Sequence, residues 1–319
     1  MAGSDPISYH VADTFMLRAP LLPLQVLGEI STDNLDSALK KFYSDHVVQE
    51  AIFLATPHLH DLCLKWLKGN LYESKNLNKF RFTLLKYLIR MASRCTPFGL
   101  FAGVCSGEFS QSDQICLSDK KDHQIFARPD MHYLCNLSST ILKNKNIRPH
   151  LKYFANSSLY PISDGYRYTE YHTDAGGSRK YQLQQVFKTD ELDKVLAFVS
   201  GGSGFDNLVD HITAEEISRQ EAGEFIHELI DNQVIVSDIE PVVSGKPYLD
   251  VLRSKVGELK MEYPSVTEIN NLIQSVNQIN NAEAAERTTL YKELIRTAKN
   301  KNPDIHENLL KQVLSHIHI

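Results

Sequence analysis

The chain has 319 residues, 42% of them hydrophobic and 23% charged, with a formal net charge of -5. This composition suits a globular protein with a real core, arranged as two modest domains or one domain with an inserted module. It excludes nucleic-acid binding driven by overall charge, so any polyanion must be met by a local basic patch. The five cysteines (Cys63, Cys95, Cys105, Cys116 and Cys135) form no C-x-x-C pair and no metal spacing. Their odd number fits reduced thiols in a cytoplasmic protein. No basic-then-apolar signal opens the chain, and no apolar run reaches the ~18 residues that a membrane span needs.

In chain order, "TFMLR" from Thr14 is a short apolar run stopped by Pro20 and Pro23, which predicts a strand entering a turn. Leu35, Ala38, Leu39 and Phe42 follow at helical spacing behind Asp33 or Asn34 as a cap. "AIFLATPHLHDLCLKWLKG" predicts two short helices broken at Pro57, the second closed by Gly69. His58 and His60 lie two apart within it and would diverge on a helix, which disfavours a shared metal.

The most regular helix is predicted from Lys75 to Arg94. Leu77, Phe80, Leu84, Leu88 and Met91 form its apolar stripe, while Lys86, Arg90 and Arg94, spaced by four, form a cationic ridge on another face. Pro97 then stops the helix. Between Ser74 and Gly107 there are six Lys or Arg and no Asp or Glu, reversing the sign of the whole chain. A solvated face is the ordinary reading of such a ridge. Against it, no acid lies within a turn of these arginines, and cations at a helix C-terminus remain free to take an anion.

A second module is expected from about Asn156. "YRYTEYHTDAGGSRKYQLQQVFKT" reads as a hairpin turning at "DAGGS". Three helical patterns follow, the third behind a Ser218-x-x-Glu221 capping box with Ala222, Phe225, Ile226, Leu229 and Ile230 on one face. "QVIVSDI" is the returning strand, so the order is that of a winged helix-turn-helix. The third helix carries Glu221, Glu224, Glu228 and Asp231 against Arg219 alone, and phosphate would repel it. DNA reading is therefore disfavoured. An extended peptide could instead add a strand to the hairpin edge and pack against the third helix, with Tyr181, Leu183, Gln185, Phe225 and Leu229 as the expected contacts. A purely structural module is the competing reading.

Beyond Pro241 the chain is polar and helical, with Val266, Ile269, Leu272, Val276 and Ile279 on one amphipathic face and "LYKELIRTAKN" as a further helix. This tail shows no chemistry and no sheet on which to end. There is no G-x-x-x-x-G-K-[ST], G-x-S-x-G, H-E-x-x-H or G-x-G-x-x-G, so no ATP-activating loop, serine elbow or zinc motif is expected.

The stretch R-x-x-x-R-x-T-P-F-G-L-F-A-G, from Arg90 to Gly103, resembles the N-terminal signature of the lantibiotic dehydratase family, the class I lanthipeptide dehydratases of the LanB type. "FMLRAPLLPL" at 15–24 and "RPDMHYL" at 128–134 resemble two further motifs of that family, in the same order. The resemblance extends over roughly residues 7–240. It implies an α+β fold: a mixed helical and sheet glutamylation region over 1–152, a winged-helix leader-recognition module over 153–242, and a helical segment over 243–319. It also implies glutamylation of Ser and Thr in a ribosomal precursor peptide with glutamyl-tRNA as co-substrate and no metal or other cofactor. A separate domain would then eliminate glutamate to leave dehydroamino acids.

By the same resemblance Arg18, Arg90, Arg94, Thr96 and Asp130 are functional positions, with Lys86 beside the arginines on the anion-binding side. Transfer from a tRNA ester to a hydroxyl makes an ester from an ester, so positioning and charge stabilisation can carry catalysis. Arg90 and Arg94 would hold phosphate or the glutamyl carboxylate, Arg18 would converge from the neighbouring strand, and Thr96 would bond the same ligand or fix Arg94. Asp130 would either orient an arginine or take the hydroxyl proton. Expected partners are glutamyl-tRNA, a precursor leader, the remaining dehydratase domains in cis or in trans, and a second copy in a homodimer. Family members of this type are much longer, and where their pattern carries another aspartate on a strand, "LLKQVLSHIHI" has none, so without the remaining domains the chain is expected to be inactive alone. A non-catalytic leader-binding module and a split-enzyme subunit are the alternatives.

Overall fold

A computed structural model describes residues 9–70, 76–111, 114–119, 122–174, 179–214, 216–242, 244–259, 263–301 and 314–318. In chain order the elements are β1 (Thr14–Pro20), α1 (Leu35–Tyr43), α2 (His46–Ala55), α3 (Pro57–Leu67), α4 (Leu77–Ser93), β2 (Ala102–Glu108), β3 (Gln124–Arg128), α5 (Met131–Lys143), β4 (Lys152–Ala155), β5 (Tyr160–Ile162) and β6 (Gly165–Thr173). They continue with β7 (Arg179–Phe187), α6 (Asp190–Phe198), β8 (Ser203–Gly204), α7 (Phe205–Ile212), α8 (Arg219–Asp231), β9 (Ile235–Ser237), α9 (Tyr248–Gly257), α10 (Pro264–Asn281), α11 (Ala284–Lys301) and β10 (Leu314–His318). The architecture is mixed α and β, with helices and small sheets, and divides into two compact units.

The first unit takes Met1–Arg128, Ser275–Leu294 and Gln312–Ile319. Its core gathers Leu39, Tyr43, Leu84, Leu88 and Met91, all fully buried, so the apolar stripe read from α4 does face inward. The Tyr43 hydroxyl donates to the Leu84 carbonyl at 2.7 Å, which satisfies a phenol inside an apolar core. Pro57 opens α3, and Gly69 closes it with φ 74. Asn34 stands at the N-cap of α1, but its side chain turns back to accept from the Ser31 N–H rather than capping the helix.

Two expectations fail here. The tail is expected to end without a sheet, yet β10 lies inside a four-stranded sheet of order β1-β2-β10-β3. It runs parallel to β2 and antiparallel to β3, a pairing made between distant parts of the chain. The second failure concerns the ridge. α4 ends at Ser93 and Arg94 is extended (φ -122, ψ 121), so it leaves the helical face that Lys86 and Arg90 share.

Helix α11 carries the first unit's buried ion pair. Glu50 on α2 is fully buried and accepts from Arg287 Nε at 2.9 and 2.8 Å, with the Tyr291 hydroxyl 3.2 Å away. Burial raises the Glu50 pKa even though Arg287 and Tyr291 pull it down.

The second unit takes Pro129–Gln274 and Ile295–Lys311. It holds a sheet of order β8-β4-β9 and another of order β5-β6-β7, the latter built on the antiparallel β6–β7 hairpin. Most of the "DAGGS" turn, residues 175–178, lies outside the described residues. The Ser218–Glu221 capping box forms at the start of α8. The end of α8 is a Schellman-type turn: Val234 N–H bonds the Leu229 carbonyl and Gln233 N–H bonds that of Ile230. Gln233 takes the left-handed position with φ 57, where a residue with a Cβ costs about 1–2 kcal/mol.

Candidate functional site

The first unit contains a cationic surface at the end of α4. Among the described residues, Arg18, Lys86, Arg90 and Arg94 form no ion pair and no side-chain hydrogen bond. Arg90 is half-buried, with its Cζ 4.1 Å from the centroid of the Phe98 ring and 6.0 Å from that of Phe101. Its Nε is shielded from solvent and has no hydrogen-bond partner among the described residues. The aromatic rings hold the guanidinium plane by cation–π attraction without using any of its donors.

The turn after α4 places those rings. Phe101 N–H donates to the Phe98 carbonyl at 3.1 Å, and Gly99 takes φ 52, a backbone setting that a side chain would strain. Phe98 and Phe101 then meet edge to face at 5.2 Å. Sequence reasoning uses Pro97 and misses Phe98; an aromatic set inside a turn next to an unpaired arginine is the available signal.

Arg94 and Thr96 are both exposed, and no hydrogen bond joins them, so Thr96 does not fix Arg94 in this structure. Arg18 sits on β1, opposite Val104 of β2. Its neighbours Leu17 and Ala19 turn inward while Arg18 is exposed, which puts it on the solvent face of the sheet. The Leu22 N–H bonds the Met91 carbonyl at 3.0 Å, which ties the end of β1 to the last turn of α4.

Asp130 belongs to the second unit. It is the buried N-cap of α5 and accepts from the His132 N–H at 2.8 Å; no described arginine is bonded to it. His60 is buried against Phe53 while His58 is exposed, and the described residues contain no cluster able to hold a metal.

The second unit also exposes an apolar strand edge. On β7, Tyr181, Leu183 and Phe187 are 66, 60 and 70% exposed, and Gln185 is exposed between them. Alternation puts all four on one face, with Tyr171 of β6 beside Tyr181, the ring centroids 6.1 Å apart. On β6 the backbone groups of Thr169 and Tyr171 point away from β7, toward side chains on the other side. Their cross-strand partners Leu183 and Tyr181 are thus non-hydrogen-bonded pairs. The N–H and C=O groups of Tyr181, Leu183 and Gln185 therefore point out along an open edge. Phe225 on α8 is half-buried, whereas Leu229 is 5% exposed and packs in the core of the unit. α8 keeps its acidic surface: its only Arg, Arg219, is paired with Asp206 and Asp210 of α7.

The sequence model described as "Lantibiotic dehydratase, N terminus" matches residues 44–311. The chain belongs to the lantibiotic dehydratase family. It is 26% identical over 279 residues to the epidermin biosynthesis protein EpiB of Staphylococcus epidermidis, covering 84% of this chain and 26% of EpiB. It is 25% identical over 266 residues to the nisin biosynthesis protein NisB of Lactococcus lactis subsp. lactis, covering 80% of this chain and 26% of NisB. The chain thus spans about a quarter of the length of these relatives. Its fold is similar to that of the tRNA-dependent lantibiotic dehydratase MibB from Microbispora sp. 107891, with a TM-score of 0.74 and 20% identity over 96% of this chain and 28% of MibB. It is also similar to the glutamylation domain TbtB from thiomuracin biosynthesis bound to 5'-phosphodesmethylglutamycin, with a TM-score of 0.62 and 14% identity over 89% of this chain and 33% of that one. No described helix is long and apolar enough to cross a membrane.

Proposed function

We propose that the chain is the N-terminal part of a glutamylation domain, which transfers glutamate from glutamyl-tRNA to Ser and Thr side chains of a ribosomal precursor peptide. The observation that carries this reading is the set of unpaired arginines at the end of α4 and on β1, in a chain of this family. Arg90 and Arg94 hold the acceptor-end phosphates or the glutamyl carboxylate, with Lys86 extending the positive surface and Arg18 contributing from β1. Thr96 donates a hydrogen bond to the same ligand.

The second unit serves as a winged-helix-like element for the precursor's leader, which adds an extended strand along β7. The open backbone of Tyr181, Leu183 and Gln185 would pair with the leader, and their exposed side chains would seat it together with Phe225. A non-catalytic leader-binding module differs in lacking transfer, and a split-enzyme subunit in needing its partner for it; the observation behind both is that same edge.

Two measurements test these readings. The chain joined to the remaining dehydratase sequence is expected to move labelled glutamate from glutamyl-tRNA to its precursor peptide; leader binding without transfer would leave the scaffold reading alone. Leu183→Asp in the full chain puts a charge in the middle of the open edge and is expected to weaken a fluorescein-labelled leader at least about tenfold. Unchanged binding in that variant would remove β7 as the docking edge.

A further inference from the structure

On the side of β6 away from β7, side chains close the part of the strand that β5 leaves uncovered. β5 covers β6 only from Gly165 to Arg167, so the backbone of Thr169 and Tyr171 continues past the end of β5. At Thr169 the N–H donates to Ser158 Oγ at 2.9 Å, and the carbonyl accepts from Asn156 Nδ2 at 3.1 Å. At Tyr171 the N–H donates to Gln233 Oε1 at 3.1 Å, and the carbonyl accepts from Gln233 Nε2 at 2.7 Å. One carboxamide thus reproduces the donor and acceptor that a neighbouring strand would offer.

Gln233 is also the single non-glycine residue with positive φ among those described. Glycine is the usual occupant of that position in a helix-ending turn, and a backbone outlier retained against its cost points to a use for the side chain. The position is pinned from both sides. Asn156 Nδ2 donates to the Gln233 carbonyl at 2.8 Å, and the Tyr168 hydroxyl of β6 donates to the Asn232 carbonyl at 2.7 Å.

We infer that Gln233 is the positioning residue of the docking edge: with Asn156 and Ser158 it stands in for a strand on β6, fixes the hairpin to the end of α8, and leaves β7 as the edge that can accept a peptide. This rests on the leader-docking reading of β7, and the two can fail separately. Blocking one edge with side chains resolves a conflict inherent in strand addition. A sheet that must take up one partner strand needs an open edge, while a second open edge would recruit wrong partners and permit register slips.

The test compares the full chain with Gln233→Gly and Gln233→Glu, at a temperature where all are fully folded. Glycine suits the left-handed turn, so the melting temperature of Gln233→Gly is expected to stay near that of the parent. The Tyr171 amide should lose its slow hydrogen exchange, and the fluorescein-labelled leader should bind about tenfold more weakly. Gln233→Glu retains the size and an acceptor but loses the donor to the Tyr171 carbonyl, and an intermediate loss is expected. Parent-like affinity and Tyr171 protection in both variants, with Leu183→Asp defective, would overturn this inference and leave the docking edge standing. If Leu183→Asp binds normally, the docking reading falls; Tyr171 exchange then still reports whether Gln233 holds the hairpin.

Discussion

Arg287→Ala is expected to lower the thermal transition of the chain by roughly 10 °C, corresponding to about 3–5 kcal/mol for a buried charge left without its partner. Glu50 is fully buried on α2, and Arg287 supplies its charged partner at 2.8 Å, with the Tyr291 hydroxyl as a further donor. Arg287 also donates to the Ala282 carbonyl, so the truncation frees that group as well. The effect has a defined pH dependence. The folded pKa of Glu50 lies above its ordinary value, chiefly because burial disfavours the charge, and Arg287 pulls it back. Without Arg287 it rises further. A carboxyl raised in the folded state contributes stability that is complete below its unfolded pKa and is lost as pH rises through its folded pKa. Acidification from about pH 7.5 to about pH 5.5 should therefore shrink the deficit of the variant, because Glu50 can then be buried neutral. Urea melts at both pH values check this; an equal deficit at both would mean that Glu50 carries no charge in the folded parent. Replacing both partners together, as in Glu50→Leu with Arg287→Met, should recover much of the loss.

That ion pair also marks where local reading of the sequence ends. Glu50 and Arg287 are 237 positions apart, and each sits in a helical pattern that looks complete without the other. The same holds for β10, whose few residues are too short to declare a strand until β2 and β3 flank them. Elements whose cause lies within a few residues are legible. The stripe of Leu84, Leu88 and Met91, the Pro57 break, the Gly69 end and the Ser218 capping box all form as spacing and capping chemistry require. The site is legible in part. Charge sign and spacing locate Arg90 and Arg94, but helical periodicity puts Arg94 on a face that its extended backbone leaves. Likewise the hairpin is plain from alternation, whereas the closing of its β6 edge depends on Asn156, Ser158 and Gln233, which no periodicity connects.

Replacing Arg90 and Arg94 together by alanine, in the chain joined to the remaining dehydratase sequence, should reduce glutamate transfer to the precursor at least about a hundredfold, since each charge-assisted contact is worth about 1.5–3 kcal/mol. The fold should survive. Arg94 is exposed without a partner among the described residues, and Arg90 gives up only its packing on Phe98 and Phe101, worth about 0.5–2 kcal/mol. Unchanged transfer would defeat the roles given to both residues. The salt dependence of tRNA binding then separates the two anions they could hold. If they neutralise backbone phosphates, the double variant should bind tRNA more weakly and with a salt slope shallower by up to about two. If they grip the glutamyl carboxylate, binding of uncharged tRNA and its slope should match the parent while transfer collapses. Arg90→Lys tests how the anion is held rather than which anion it is. A single ammonium retains the charge but loses the planar fork, which fits phosphate and carboxylate alike. Near-parental transfer in Arg90→Lys would mean that charge alone is used, and a loss close to that of alanine would mean that two parallel hydrogen bonds over the Phe98 ring hold the anion; the salt slope still says which anion it is.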